Sequence, residues 1–163
     1  MTQQEYENKI KELEKQIEEL KMAKVEEPQS KRWKPEYDET YWFLNGGVYC
    51  EKWTDCVWDN FQYTIGNCFK TKEEAEEYKK QIEYTARYKN YIEEHSEPLD
   101  WNDYEQEKWE AHFSFYKNII ITDCNLIEKH QGVIYASSKQ IIEDAIKEIG
   151  EDNFKKYVLG VKE

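Results

Sequence analysis

The stretch GNCFKTKEEAE, residues Gly66–Glu76, carries the pattern on which the predicted fold depends. Thr71 is a favoured helix N-cap residue, and Glu74 follows it at the spacing of a capping box. Glu73 and Glu74 also suit the positive end of a helix dipole. The stretch therefore predicts the end of an extended segment, followed by a helix that runs to about Glu94.

A second stretch, GVIYASSKQ at Gly132–Gln140, repeats this arrangement 66 residues later. Ser137 and Gln140 form its predicted capping box. Thr122–Cys124 also repeats Thr54–Cys56 letter for letter. We therefore predict an α+β protein in which an N-terminal heptad helix precedes two βββα-like units. These units are expected to share one core of antiparallel sheet and helices.

Strand predictions complete the two units. In the first unit they are Tyr41–Leu44, Val48–Trp53 and Phe61–Ile65, the last because its apolar residues alternate with period two. In the second unit they are Trp109–Tyr116 and Asn118–Thr122, and Asn153–Val161 is a short final helix or strand. The predicted boundaries are 1–25 for the N-terminal helix, 26–32 for a linker, 33–95 for the first unit, 96–108 for an acidic connector and 109–163 for the second unit.

The Gly66–Glu76 stretch lacks the features of a catalytic or phosphate-binding turn. A phosphate-binding loop needs several glycines, whereas this stretch has one glycine and carries acidic residues where the anion would bind. Cys68 has Ile134 at the equivalent place in the second unit, which is typical of a core-facing position rather than of a nucleophile. The three histidines stand outside any catalytic motif. We therefore predict that the protein is not an enzyme.

Composition narrows the classes of partner. The formal net charge is −12, so no direct affinity for nucleic acid or for anionic membranes is expected. The four cysteines and three histidines form no CxxC or HxxxH pair, which predicts ordinary reduced thiols, with a metal site assembled by the fold as the alternative. The sequence has no run typical of a signal peptide or of a membrane span. These features predict a cytoplasmic protein without a cofactor.

The N-terminal segment carries an apolar heptad seam. Its residues follow a 4, 3, 4, 3 spacing, with Ile at a and Leu at d: Tyr6, Ile10, Leu13, Ile17 and Leu20. This combination favours a homodimer through a parallel two-stranded coiled coil, in which Lys9 would face Glu14 of the partner helix. Because only about two and a half heptads are present, two alternatives stay open: packing on the protein's own body or on another protein, and a frayed helix.

An acidic and aromatic segment separates the two predicted units. Residues 93–110 contain eight carboxylates and one lysine, Lys108, so they carry −7 of the formal −12. One interpretation is a solvated loop whose aromatic residues dock onto the core. The other is a recognition surface for a basic protein groove that normally holds DNA or RNA. The predicted partner-binding residues are Glu97, Asp100, Trp101, Asp103, Tyr104, Glu105 and Glu107.

A short heptad helix, an RWKP segment at Arg32–Pro35 and aromatic hairpins ending in GNCFKTKEEAE together resemble small proteins encoded by phages and mobile elements of low-GC bacteria. The resemblance implies accessory phage biology, in which small acidic proteins often inhibit host defence nucleases, as anti-CRISPR proteins do. It carries over no catalytic residues.

The leading hypothesis is a non-enzymatic anti-defence inhibitor in the host bacterial cytoplasm, bound to a basic surface of a nucleic-acid-guided nuclease. One alternative is a nucleotide or small-molecule binder with an aromatic pocket between the two units. Another is a coiled-coil virion assembly factor.

Overall fold

The computed structural model describes residues 3–22 and 32–162. The chain divides between Lys34 and Pro35 into an N-terminal part and a body. The N-terminal part contains helix α1, Gln3–Met22. Apart from Arg32, the predicted linker 26–32 lies outside the described residues, as do the last residues of the predicted N-terminal helix.

The body alternates hairpins with helices. In chain order its elements are β1 Thr40–Leu44, β2 Val48–Lys52, α2 Val57–Thr64, α3 Lys72–His95, β3 Lys108–Ser114, β4 Ile119–Asn125, α4 Lys139–Ile149, α5 Glu151–Asn153 and a π-helical segment Phe154–Val158. Strands β1 and β2 pair antiparallel, and β3 and β4 do the same in a separate sheet. The α+β class is therefore confirmed: the described residues form helices and two small antiparallel two-stranded sheets.

The third strand predicted for the first unit is wrong. Phe61–Thr64 belongs to helix α2, and Ile65 is its C-cap. The helix begins at Cys56, whose Sγ accepts a hydrogen bond from the Asp59 amide at 3.5 Å while the Asp59 carboxylate accepts one from the Cys56 amide at 3.3 Å. This capping box went unrecognised because cysteine is not among the favoured N-cap residues.

Helix α3 begins as predicted, but the second predicted capping box is wrong by one residue. Thr71 and Glu74 close their box, with the Glu74 amide 3.2 Å from the Thr71 Oγ1. At α4 the N-cap is Ser138, whose Oγ accepts from the Ile141 amide at 3.4 Å. Ser137 precedes the N-cap, and its Oγ accepts a hydrogen bond from the Glu97 amide.

The two halves of the body share one backbone feature, although the repeat itself stays a prediction. Trp42 exchanges two hydrogen bonds of 2.9 Å with Phe69, and Trp109 exchanges two of 2.8 Å with Ala136. The second residue of each pair, Phe69 or Ala136, lies two residues before the N-cap of the following helix. The identical tripeptides do not correspond, because Thr122–Cys124 lies in β4 whereas its counterpart forms the loop before α2.

The main core lies where α3, α4 and the C-terminal segment meet. Its buried side chains are Tyr88, Ile92, Ala136, Ile142, Ala145, Ile149 and Phe154. Around the first hairpin a second, aromatic group is buried, in which Tyr41 meets Trp53 edge-on with ring centroids 5.6 Å apart. Gly150 ends α4 with a φ of 85°, a conformation that favours glycine. The predicted final segment is helical rather than extended.

Candidate functional site

The acidic connector, residues 96–108, leaves helix α3 at Ser96 and enters strand β3 at Lys108. Ser96 ends the helix with its amide 2.8 Å from the Ile92 carbonyl oxygen. Its Oγ accepts a hydrogen bond of 2.8 Å from the Ser137 amide, and the Ser137 Oγ accepts one of 3.0 Å from the Glu97 amide. These two bonds fix the start of the connector to the segment that precedes α4.

The lone lysine of the connector is fully buried. The Lys108 Nζ donates hydrogen bonds to the carbonyl oxygens of Asp103 at 2.7 Å, Gln106 at 2.8 Å and Leu126 at 3.5 Å. It also lies 5.4 Å from the centroid of the Trp101 ring. A buried ammonium group is stable only with such partners. Backbone carbonyls of the connector therefore surround the Lys108 ammonium group, which is buried beneath the loop.

Side chains of the connector brace its own turns. One Asp100 oxygen accepts from the Asn102 amide at 2.8 Å, and one Asp103 oxygen accepts from the Glu105 amide at 2.9 Å. Gln106 spans the loop: its Oε1 accepts from the Asp100 amide at 2.6 Å and its Nε2 donates to the Pro98 carbonyl at 3.0 Å. Aspartate side chains commonly stabilise turns in this way. The connector therefore holds a defined shape before any partner binds.

The predicted partner-binding residues do not all point the same way. Tyr104 is 64% exposed. The carboxylate residues among them are also exposed: Glu97, Asp100, Asp103, Glu105 and Glu107. The Glu107 carboxylate accepts a hydrogen bond of 2.9 Å from the Trp109 indole. Trp101 is half-buried and meets the Tyr135 ring edge-on at 5.0 Å, while Lys129 lies over its face. Trp101 thus anchors the connector, and the carboxylates and Tyr104 form its outer surface.

Sequence reasoning missed the structural part played by Lys108 and by the two serines. The detectable signal was a single lysine at the end of an acidic run, directly before a strand. The serine contacts join residues 41 positions apart, so no local pattern announces them.

The heptad seam of α1 is exposed at the positions the structure describes. Tyr6, Leu13 and Ile17 are more than half exposed, and Ile10 is 40% exposed. The side chain of Leu20 lies outside the described part of the helix. The predicted oligomerisation residues thus present an apolar face, and the homodimer stays a prediction.

A second concave region lies between α3 and the C-terminal segment. This groove, about 1170 Å³ in volume, is lined by aromatic rings and by both signs of charge: Phe69, Glu73, Glu74, Glu77, Tyr78, Gln81, Asp152, Lys155, Lys156, Tyr157, Gly160, Val161 and Lys162. The Glu77 carboxylate accepts from Lys156 at 2.8 Å, from Lys80 at 3.0 Å and from the Tyr157 hydroxyl at 3.1 Å. Hydrogen bonds from Lys156 and Lys80 lower the pKa of Glu77 to about 2. Glu77 thus binds two of the nearby ammonium groups.

The groups that carry catalysis elsewhere are dispersed here. His95, His112 and His130 are exposed and lie on different elements. Burial raises the pKa of Tyr88 in the core, so its hydroxyl stays protonated. In the part of the chain that the structure describes, no group of three or more His, Cys, Asp or Glu side chains could hold a metal ion. No described helix is long and apolar enough to cross a membrane.

No protein-family model, no curated protein and no solved structure matches this chain.

Proposed function

We propose that this chain is a non-enzymatic binding protein whose acidic connector occupies a basic surface of another protein. The burial of Lys108 supports the proposal most directly. Because this ammonium group lies beneath the loop, the exposed side chains of the connector are carboxylates and polar or aromatic groups. The connector's own exposed side chains are therefore anionic, polar or aromatic, and the cation beside them is Lys129, which lies over the Trp101 ring.

The shape of the connector favours binding as well as its charge. The bonds from Lys108, Asp100, Asp103 and Gln106 hold the loop in place, so little conformational entropy remains to be lost on association. Electrostatic complementarity then raises the association rate and orients the partner. Tyr104 offers an exposed aromatic ring, a residue type enriched in interface hot spots.

The proposed class of partner rests on the number and the exposure of the connector carboxylates. A row of exposed carboxylates can take the place of nucleic-acid phosphates in a groove lined by lysine and arginine. We therefore propose a nucleic-acid-binding protein as the partner, with a nucleic-acid-guided nuclease as the leading candidate and inhibition as the outcome. The chain would act as an anti-defence inhibitor of the anti-CRISPR type.

The test uses a variant that removes charge without changing shape. Asp100→Asn, Asp103→Asn, Glu105→Gln and Glu107→Gln together remove four charges. The asparagine Oδ1 atoms can still accept the turn hydrogen bonds. The matched control removes four exposed carboxylates from α3 and α4: Glu73→Gln, Glu76→Gln, Glu83→Gln and Glu143→Gln. The control has the same total charge as the connector variant, so the two variants differ only in where the charges are removed.

Binding is measured against purified nucleic-acid-guided nucleases, each with and without its nucleic acid. We expect the wild-type chain and the control to bind the free nuclease, and bound nucleic acid to compete with them. The connector variant is expected to bind at least about tenfold more weakly. Equal binding by the connector variant and the control would refute the proposal.

The groove between α3 and the C-terminal segment supports a second candidate function. Its rings Phe69, Tyr78 and Tyr157 could stack a planar small molecule. The carboxylates in its lining, with Glu77 already binding Lys156, disfavour a ligand rich in phosphate. A thermal shift with nucleosides or aromatic cations that persists in the connector variant would favour this function.

A further inference from the structure

Helix α2 packs with its polar side inward. Asp59 and Gln62 are each only 2% exposed, whereas Val57 is 90% exposed and Phe61 and Ile65 are each 52% exposed. A surface helix normally buries its apolar residues and exposes its polar ones. Apart from Tyr63, which is half-buried against Trp53, α2 reverses this rule, so its outward apolar residues need an explanation.

Specific hydrogen bonds stabilise the inward polar side. The Asp59 carboxylate accepts from the Tyr41 hydroxyl at 2.9 Å and from the Thr54 amide and hydroxyl at 2.7 and 2.9 Å. The Gln62 Oε1 accepts from the Asn67 Nδ2 at 2.6 Å. These bonds satisfy the buried groups and fix which side of α2 faces the solvent.

The outward apolar residues continue onto the first hairpin. The ring centroids of Tyr49 and Phe43 are 6.1 Å apart, those of Phe43 and Trp58 are 6.2 Å apart, and those of Trp58 and Phe61 are also 6.2 Å apart. We call the exposed members of this group, together with those of the helix, the α2 apolar surface: Tyr49, Val57, Trp58, Phe61 and Ile65. A contiguous surface of this kind marks an interaction site, and tryptophan and tyrosine are the residues most often found at hot spots.

The charges beside this surface indicate what covers it. Glu51 is exposed and lies on the hairpin face that carries Tyr49 and that α2 packs against, and the Asp55 carboxylate, which accepts a hydrogen bond of 3.2 Å from Asn60, precedes the helix. Lys52 is engaged by Asp38, whose backbone oxygen lies 2.7 Å from its Nζ. The rim is therefore acidic. A second copy of the same surface would bring like charges together, whereas lysine or arginine on a partner would be attracted.

We propose that the α2 apolar surface is a docking site for a protein segment with apolar side chains flanked by lysine or arginine. The apolar side chains pack on Trp58 and Phe61, and the flanking cations meet Glu51. This surface is separate from the acidic connector, and its use does not depend on the function proposed above.

The probe is a helical peptide with leucine on one face and lysine on the other, and binding is measured by isothermal titration calorimetry. The test variant is Val57→Ser with Phe61→Ser, and the matched control is Tyr116→Ser with Ile127→Ser, which are exposed apolar residues elsewhere. Both variants keep every charge, so a difference between them cannot come from general attraction to an acidic protein. Folding of each variant is verified by circular dichroism.

We expect the control to bind like the wild-type chain and the test variant to bind about tenfold more weakly or worse. Glu51→Lys should weaken binding as well, and a peptide with glutamate in place of lysine should bind poorly. Equal binding by the test variant and the control would overturn the proposal, as would equal binding of the two peptides. Sedimentation that shows self-association of the wild-type chain, lost in the test variant alone, would assign the surface to a second copy and also overturn it.

Discussion

Asp59 and Lys108 organise two loops in opposite ways. Asp59 is a buried anion that gathers hydrogen-bond donors from the loop before α2, and Lys108 is a buried cation that gathers carbonyl oxygens from the acidic connector. Around Asp59 the exposed surface is apolar, and around Lys108 it is anionic. In both regions a buried charge fixes the backbone, so the side chains facing the solvent can serve recognition rather than folding.

The largest effect is expected from removing the buried anion. Asp59→Ala leaves the Thr54 amide and hydroxyl, the Cys56 amide and the Tyr41 hydroxyl without their acceptor. Because the Tyr41 hydroxyl is buried and the other three donors are partly buried, losing their acceptor is costly, and the free energy of unfolding should fall by about 4 kcal/mol. Urea denaturation measures this change. A loss below about 1 kcal/mol would show that the carboxylate does not organise the loop.

Removing the buried cation should cost slightly less. Lys108→Met keeps the aliphatic volume but leaves the carbonyls of Asp103 and Gln106 without their donor. We expect the free energy of unfolding to fall by about 3 kcal/mol. Amide exchange should be faster in residues 99–107, because the loop loses the donor that binds its carbonyl groups. Native-state hydrogen exchange with mass spectrometry resolves this region. Unchanged protection there would contradict the part assigned to Lys108.

The two regions should also differ in their response to acid. Burial by itself would raise the pKa of Asp59, but hydrogen bonds from Thr54, Tyr41 and Cys56 outweigh it and lower the pKa from 3.8 to about 2. A carboxyl whose pKa is depressed on folding contributes stability that is present above pH 3.8 and is lost as the pH falls towards 2. The contribution is about 2 kcal/mol.

Denaturation midpoints measured at several pH values between about 5 and 2 show this loss. The wild-type chain should lose stability steeply across that range, and Asp59→Asn should start lower and show a shallower slope. Lys108→Met should keep the slope of the wild type, because it leaves the Asp59 carboxylate and its hydrogen-bond donors unchanged. Parallel curves for the wild type and Asp59→Asn would exclude Asp59 as the cause.

The smallest effect is expected at the exposed residues of α2. Val57→Ser removes an apolar side chain that is 90% exposed, so the free energy of unfolding should change by less than about 0.5 kcal/mol. Thermal denaturation followed by circular dichroism suffices for this comparison. A loss comparable to that of Asp59→Ala would mean that Val57 serves the fold, and the contrast between inner and outer sides of α2 would then fail.

The prediction from sequence succeeded where local chemistry was sufficient. The Thr71 box specifies the start of α3, because capping acts over a few residues. The prediction failed at Phe61–Ile65, where the alternating apolar residues belong to a helix that exposes Phe61 and Ile65 and half-buries Tyr63. Period-two alternation predicts a strand only when the apolar side is the buried one.

The acidic connector was located from charge alone, but its arrangement was not predictable. Counting carboxylates identifies residues 93–110 as an acidic segment. The sequence then predicts that both aromatic residues, Trp101 and Tyr104, bind a partner. The structure separates them, with Trp101 against Tyr135 and Tyr104 exposed. Which aromatic residue docks depends on partners far along the chain, and a single sequence does not reveal these.

The sequence by itself determines the α+β class, the heptad seam of α1, the capped start of α3 and the position of the acidic connector. Each of these depends on spacing and charge within a short window, where the physical interactions are local. Only the tertiary structure decides that Asp59 and Lys108 are buried and that α2 turns its apolar side outward. Burial of a charge requires partners such as Tyr41 and Leu126, which lie 18 positions away in each case. Such partners are brought together only when the whole chain folds.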